Sequence, residues 1–322
     1  MILMSPRRLL GPVATALAVA MVGACGSGLA GTGGSGKVTV AAAFYPLEYA
    51  VHQIGGDLVE VQPLTKPGAE PHDLELNPRQ VAHVALADLV VYEKGFQPAV
   101  DDAVHSEARH TALDVSTAAR LDLTAADEQE HESDHAGPEA ERDTQHDHEA
   151  KDPHFWLDPL RYADVGEAIA AQLGRHDPAH AATYTANAKA FRASLTALDE
   201  QFRTGLAQCR VKDLVTAHAA FGYLARAYGL TQQSITGLTP DAEPSPAALA
   251  AITDRIRRSG ATTVYAETLV SEDVARTLAR ETGARLAVLD PVEGITTESA
   301  GPDYPSVMRA NLATLQAGQE CS

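Results

Sequence analysis

Four polar side chains stand at positions suited to metal chemistry: His72 in PGAEPHDLELN, His154 in DPHFWLD, His218 directly after DLVTA, and Glu293 in LDPVEG. Three imidazoles and one carboxylate make a four-coordinate, nitrogen-rich set. Such a set suits zinc, whereas manganese favours more oxygen. Each residue also has a plainer reading. His72 can be a loop histidine among prolines, His154 an extension of the acidic tract before it, His218 a helix-start residue satisfied by backbone, and Glu293 a turn residue before Gly294. Histidines this far apart have no diagnostic interval comparable to that of a zinc finger, so spacing alone leaves both readings open.

The tract between Asp127 and Asp152, residues 127–152, is acidic, low in complexity and studded with His131, His135, His146 and His148. Its Gly, Pro and charged neighbours bury too little apolar surface to order it, so it is expected to be a mobile loop. Imidazoles among carboxylates at high local concentration would give auxiliary, low-affinity metal sites that gather zinc or sense its excess. The plainer alternative is a solvated spacer.

Elements able to position these residues follow from the rest of the pattern. Apolar, β-rich runs predict strands at 37–43, 58–64, 88–92 and 112–115, and again at 213–217, 230–235, 261–266 and 285–289. Helices are expected at 46–55, 77–87, 158–173, 221–228, 245–258, 271–282 and 304–317, with Asn77 and Asp158 as N-caps. A longer helix from Asp177-Pro178 to Cys209 would span roughly 50 Å at 1.5 Å per residue. The fold class is therefore α/β: two (β/α) lobes with mainly parallel sheets, residues 37–174 and 210–322, joined by a rigid connecting helix within 175–209. Ligands of such sheets sit beyond the carboxyl ends of the strands. His72 and His154 would come from the first lobe and His218 and Glu293 from the second, so a shared metal would lie in the cleft between them. Phe155, Trp156 and Tyr45 would wall that cleft or pack beneath it. His52, His83, His105, His110, His176 and His180 are expected in solvent.

The amino terminus bears on location. Arg7 and Arg8 precede a short apolar stretch and then Val-Gly-Ala-Cys ending at Cys25. The order resembles a bacterial lipoprotein signal peptide (1–24), which implies that Cys25 carries lipid and that 25–36, rich in Gly, Ser, Ala and Thr, is a flexible tether. A net charge of −18 argues against nucleic acid as a partner. In an oxidising exported setting the remaining pair, Cys209 and Cys321, suggests a disulfide; two free thiols are the alternative.

Together, PGAEPHDLELNP, DPHFWLDP, TAHAAFGYLARAYGL and LDPVEG resemble, in order, the successive motifs of the metal-binding substrate-binding proteins of bacterial ABC transporters, specifically the zinc-uptake, ZnuA-like branch. The resemblance covers essentially the whole mature chain, His-rich loop included. It implies an extracytoplasmic, monomeric carrier, held by lipid at the outer face of the cell membrane, that captures Zn2+ and hands it to a permease with its ATPase. It implies His72, His154 and His218 as nitrogen ligands, Glu293 as the completing carboxylate, and Glu267 in TVYAE as a group that supports the ligands or fixes the lobes. A manganese-binding or adhesin-type relative of the same fold is the alternative within the family. A zinc hydrolase using Glu293 or Glu267 as general base is the alternative outside it, weakened because no HExxH helix, nucleophile elbow or cofactor glycine fingerprint occurs.

Overall fold

The computed structural model describes residues 36–124, 150–240 and 244–322. The leader, Cys25, nearly all of the tether, and His131, His135, His146 and His148 lie outside the described residues. Among those described, no helix is long and apolar enough to cross a membrane.

The first half builds a sheet from β1 (Val38–Ala42), β2 (Val59–Pro63), β3 (Leu89–Tyr92) and β4 (Ala112–Asp114), interleaved with α1 (Tyr45–Gly55), α2 (Pro78–Leu86), α3 (Pro98–Glu107) and the short α4 (Ser116–Ala119). The second builds another from β5 (Asp213–Thr216), β6 (Thr231–Ser234), β7 (Thr263–Ala266) and β8 (Arg285–Val288). Around it lie α7 (Gly222–Tyr228), α8 (Pro246–Ser259), α9 (Asp273–Thr282) and α10 (Tyr304–Gly318). All pairings are parallel and both sheets share one order, β2-β1-β3-β4 and β6-β5-β7-β8. Central strands such as β3 (LVVY) and β7 (TVYA) are apolar on both faces because helices cover both.

Between the sheets run α5 (Pro159–His176) and α6 (Ala181–Gly205). Asn77 caps α2 in a capping box with Gln80, and Asp158 caps α5 by accepting from the Leu160 and Arg161 amides. The expected strut is shorter than its pattern suggests. A separate 3-10 turn occupies Pro178–His180, where Asp177 accepts from His180 Nδ1 (2.6 Å) and the Tyr184 hydroxyl (2.9 Å). The 25 residues of α6 then extend about 38 Å. Gly166 lets α6 approach α5 closely, since a Cβ there would stand 2.6 Å from the Phe191 ring. Helix α3 escapes the sequence reading because only Val100, Ala103 and Val104 of its ten residues are buried.

The larger of two hydrophobic clusters spans both halves, joining Phe44, Leu47 and Trp156 to Phe221, Leu289 and Tyr304, while a second, including Val215, Ile252, Val264 and Leu278, packs α8 and α9 against the second sheet. Hydrogen bonds cross with it. Trp156 Nε1 donates to the Pro291 carbonyl (2.8 Å), Tyr304 donates to the Trp156 carbonyl (2.5 Å), and the Tyr223 hydroxyl accepts from the Asp122 amide (3.2 Å). Arg161 lies over the Tyr223 ring at 4.5 Å. Cys209 and Cys321 form a disulfide, closing the second half 112 residues apart in sequence.

Candidate metal centre

Each of the four residues reaches the cleft from a strand's carboxyl side or from a rigid turn. His72 lies in the loop after β2, held by Gln97, whose side-chain amide donates to the Pro71 carbonyl (3.0 Å) and Thr65 Oγ1 (3.1 Å). His154 precedes a buried 3-10 turn, Phe155–Leu157, whose side chains pack in the core; Phe155 and Trp156 are fully buried. His218 follows β5 by two residues, and Glu293 follows β8 in the loop to α10.

The structure brings all four together. One ligating atom from each of His72, His154, His218 and Glu293 lies within 4.8 Å of every other. His154 Nε2 is 3.3 Å from both His72 Nε2 and His218 Nε2. Glu293 Oε1 is 3.0 Å from His154 Nε2, 3.3 Å from His72 Nε2 and 3.5 Å from His218 Nε2. A tetrahedron with metal–ligand bonds of about 2.0–2.1 Å has edges of about 3.3–3.4 Å, so these separations are those of four donors around one zinc-sized ion. His154 and His218 are fully buried, and His72, at 7 % side-chain exposure, is the histidine of the cluster nearest solvent.

Carboxylates behind the imidazoles fix which nitrogen faces the cluster. Asp152 Oδ1 accepts from both the His154 amide and Nδ1, each at 2.8 Å. Glu267 accepts from the His218 amide on Oε1 (3.0 Å) and from Nδ1 on Oε2 (2.6 Å). With Nδ1 protonated against a carboxylate, the Nε2 lone pair points inward. Glu267 thus touches the cluster through His218 rather than directly. Asp152 was not singled out by sequence, where it reads as one more acid closing an acidic tract; its i, i+2 relation to His154 just before a rigid turn was the available signal. Glu70 was also missed: its carboxylate accepts from the His72 amide (3.1 Å) and lies 3.8 Å from His72 Nε2.

Electrostatics follow from this packing. Burial lowers the proton affinity of His72. For His154 burial pulls the same way, yet hydrogen bonds to Asp152 and Glu293 outweigh it and hold the ring above its ordinary value. His218 is held well above, because the Glu267 charge and hydrogen bond exceed the burial penalty. Burial opposes ionisation of Glu293, but the three imidazoles reverse this and keep it well below the carboxylate range. Burial raises Glu70 to about 7. An ionised, buried carboxylate facing three imidazole nitrogens is a donor set arranged for a cation, which must displace any proton the rings carry.

Of the remaining histidines, His52, His105, His110, His176 and His180 are exposed as expected, whereas His83 is half-buried on α2. Tyr45 begins α1 and packs against Tyr49 at 6.1 Å between ring centroids, part of the support rather than the cluster.

Two parallel sheets of one order, with a His3Glu cluster between their loops, define a two-lobed α/β protein with a candidate metal centre between its lobes. The chain belongs to the family described as zinc-uptake complex component A, periplasmic, whose model matches residues 40–318. It is similar to the high-affinity zinc uptake system protein ZnuA of Bacillus subtilis, with 36% identity over 303 residues covering 92% of this chain and 93% of that protein. It is 38% identical over 287 residues to the zinc-binding lipoprotein AdcA of Streptococcus pneumoniae, covering 87% of this chain and 56% of that protein. The chain therefore spans little more than half the length of that relative. Among solved structures, Zn(II)-bound AdcA from Streptococcus pneumoniae superposes with a TM-score of 0.72 at 33% identity, covering 88% of this chain and 58% of that one. The laminin-binding protein Lbp of Streptococcus pyogenes superposes at 0.73 with 30% identity, covering 88% and 100%.

Proposed function

We propose that this protein is an extracytoplasmic zinc carrier that captures Zn2+ through His72, His154, His218 and Glu293 and delivers it to a membrane permease driven by an ATPase. The observation carrying this reading is the near-tetrahedral set of donor separations, 3.0–3.5 Å, in a buried cluster drawn from both halves of the chain. The names of the relatives, zinc-binding and zinc-uptake proteins, support it.

Four protein donors fill a tetrahedral coordination sphere. No position is left for an activated water, so the site stores and hands over its ion rather than catalysing hydrolysis. Zinc binding must displace the protons that Glu267, Asp152 and Glu293 stabilise on His218 and His154, so capture releases protons and acid opposes it. The continuous core and the Trp156–Pro291 bond limit relative motion of the halves to small tilts and loop rearrangements. A chain with this leader is exported, and Cys25 carries the lipid that holds it at the outer face of the membrane. His131, His135, His146 and His148 form the auxiliary, weaker zinc-gathering set, and the chain works as a monomer.

Metal analysis with competition titration tests the reading. The expected result is one tight zinc per molecule. Zinc-protein free energies of about 10–16 kcal/mol shared over four ligands give on the order of 3 kcal/mol each. His72→Ala, His154→Ala or His218→Ala should therefore weaken binding by about a hundredfold or more. Glu293→Ala should cost less, because water can take its place. Stoichiometric tight binding surviving all three histidine substitutions would remove the site from these residues.

A further inference from the structure

Among the described residues, three other than glycine have positive φ: Arg120, Val292 and Glu320. Arg120 and Glu320 are exposed and follow helix ends, where left-handed backbone closes the last turn. Val292 is different. Its φ is 58°, its side chain is completely buried and β-branched, and it immediately precedes Glu293. A β-branched residue is among the least tolerant of this conformation, which persists only where surrounding structure over-determines it.

That over-determination is visible. The Val292 amide donates to Asp290 Oδ1 (2.8 Å), and the Pro291 carbonyl accepts from Trp156 Nε1 (2.8 Å). Asn311 on α10 holds the Asp290 backbone at both ends, accepting from its amide (3.0 Å) and donating to its carbonyl (2.7 Å). Beyond Glu293, Gly294 lies against the loop that carries His72; a Cβ there would be 3.8 Å from the Gly68 nitrogen. The segment 290–294 is thus clamped from α10, from the turn after His154 and from the His72 loop, with its most unfavourable backbone next to the carboxylate.

We propose that Val292 is a positioning residue whose strained backbone aims Glu293 at the three imidazoles, and that its relaxation withdraws the carboxylate and opens the coordination sphere for zinc release. Returning Val292 to negative φ redirects the chain at the next residue, so the strained and relaxed states differ in where Glu293 points. Strain carried by the arrangement in which Glu293 meets the imidazoles favours loss of that arrangement, and the bond from Trp156, two residues from His154, to the Pro291 carbonyl opposes it. The inference rests on the proposed role of Glu293 as a zinc ligand.

The test uses the zinc-loaded mature protein chased with excess chelator in a stopped-flow instrument, comparing wild type with Val292→Gly, Val292→Asn, Glu293→Ala and the Val292→Gly/Glu293→Ala double variant. Glycine takes positive φ without penalty, so Val292→Gly should slow release about five- to thirtyfold, the factor equivalent to one left-handed residue's strain. Asparagine, which tolerates this region, should slow it less, and it carries the test should the glycine variant fail to fold. In the Glu293→Ala background the glycine substitution should change release by less than about twofold. Cobalt-substituted Val292→Gly should keep the intense visible absorption of tetrahedral coordination. Unchanged release from the folded variants, or equal slowing with and without Glu293, overturns the proposal. If instead wild type holds no zinc, or Glu293→Ala leaves both affinity and release unaltered, the assignment of Glu293 as ligand fails first.

Discussion

Replacing Glu267 by glutamine removes a charge while keeping size and one acceptor, and the contacts of this side chain set what that does to zinc. Glu267 accepts from the His218 amide at 3.0 Å and from Nδ1 at 2.6 Å, with 2 % of its side chain exposed. A hydrogen bond to a charged group contributes about 1.5–3 kcal/mol, equivalent to roughly ten- to a hundredfold in affinity. The same range, roughly 10–100-fold, is typical when the partner of a metal-bound histidine is changed. Glu267→Gln should therefore weaken zinc by that factor near pH 7.5, measured by competition with a chromophoric chelator. Proton competition adds a signature. Glu267 holds His218 well above its ordinary value, so the wild-type ring carries a competing proton at pH values where the variant's ring is already neutral. As pH falls, wild type loses affinity earlier and the gap between the two narrows. Equal affinities at pH 7.5 with both proteins folded, or a gap that widens in acid, would refute the role of Glu267 in tuning His218.

Acid should weaken zinc binding from neutral pH downward, beginning above the ordinary imidazole value of about 6.5, because His154 and His218 bind protons more tightly than free histidine. Each displaced proton contributes roughly tenfold per pH unit, and titrations between pH 5.5 and 8.5 read the slope. Gly166→Ala should destabilise the fold by about 1–3 kcal/mol through overpacking against Phe191, lowering the denaturant midpoint while the zinc stoichiometry stays unchanged. Removing the disulfide with Cys209→Ser and Cys321→Ser should reduce stability by about 2–5 kcal/mol, since it closes a loop of 112 residues far from the cluster, and zinc affinity measured on the folded fraction should not move.

Their places after parallel strands made His72, His218 and Glu293 candidates, because loops there are where such sheets bind ligands, but the residues alone left plainer readings open and it was the resemblance of the four motifs that drew them together as ligands. The caps Asn77 and Asp158 were legible as side chains whose local bonding decides the backbone. What stayed hidden depends on long-range contact. Asp152 looks like its acidic neighbours until the fold sets it against His154. The helix from Ala181 looks continuous with Pro178 until Asp177 ties His180 and Tyr184 into a separate turn. Val292 bears no sequence mark of positive φ; a valine there argues for extended backbone, and only the clamp from Trp156 and Asn311 explains otherwise.

The twin sheets separate frame from chemistry. Strand order and core set how far apart the opposing loops stand, while the character of the pocket rests on single side chains at their tips. Exchanging the imidazole at position 218 for a carboxylate would turn a nitrogen-rich pocket toward oxygen and so toward harder ions, without rebuilding a strand. Preference among metals can therefore drift by point changes on a frame that stays still.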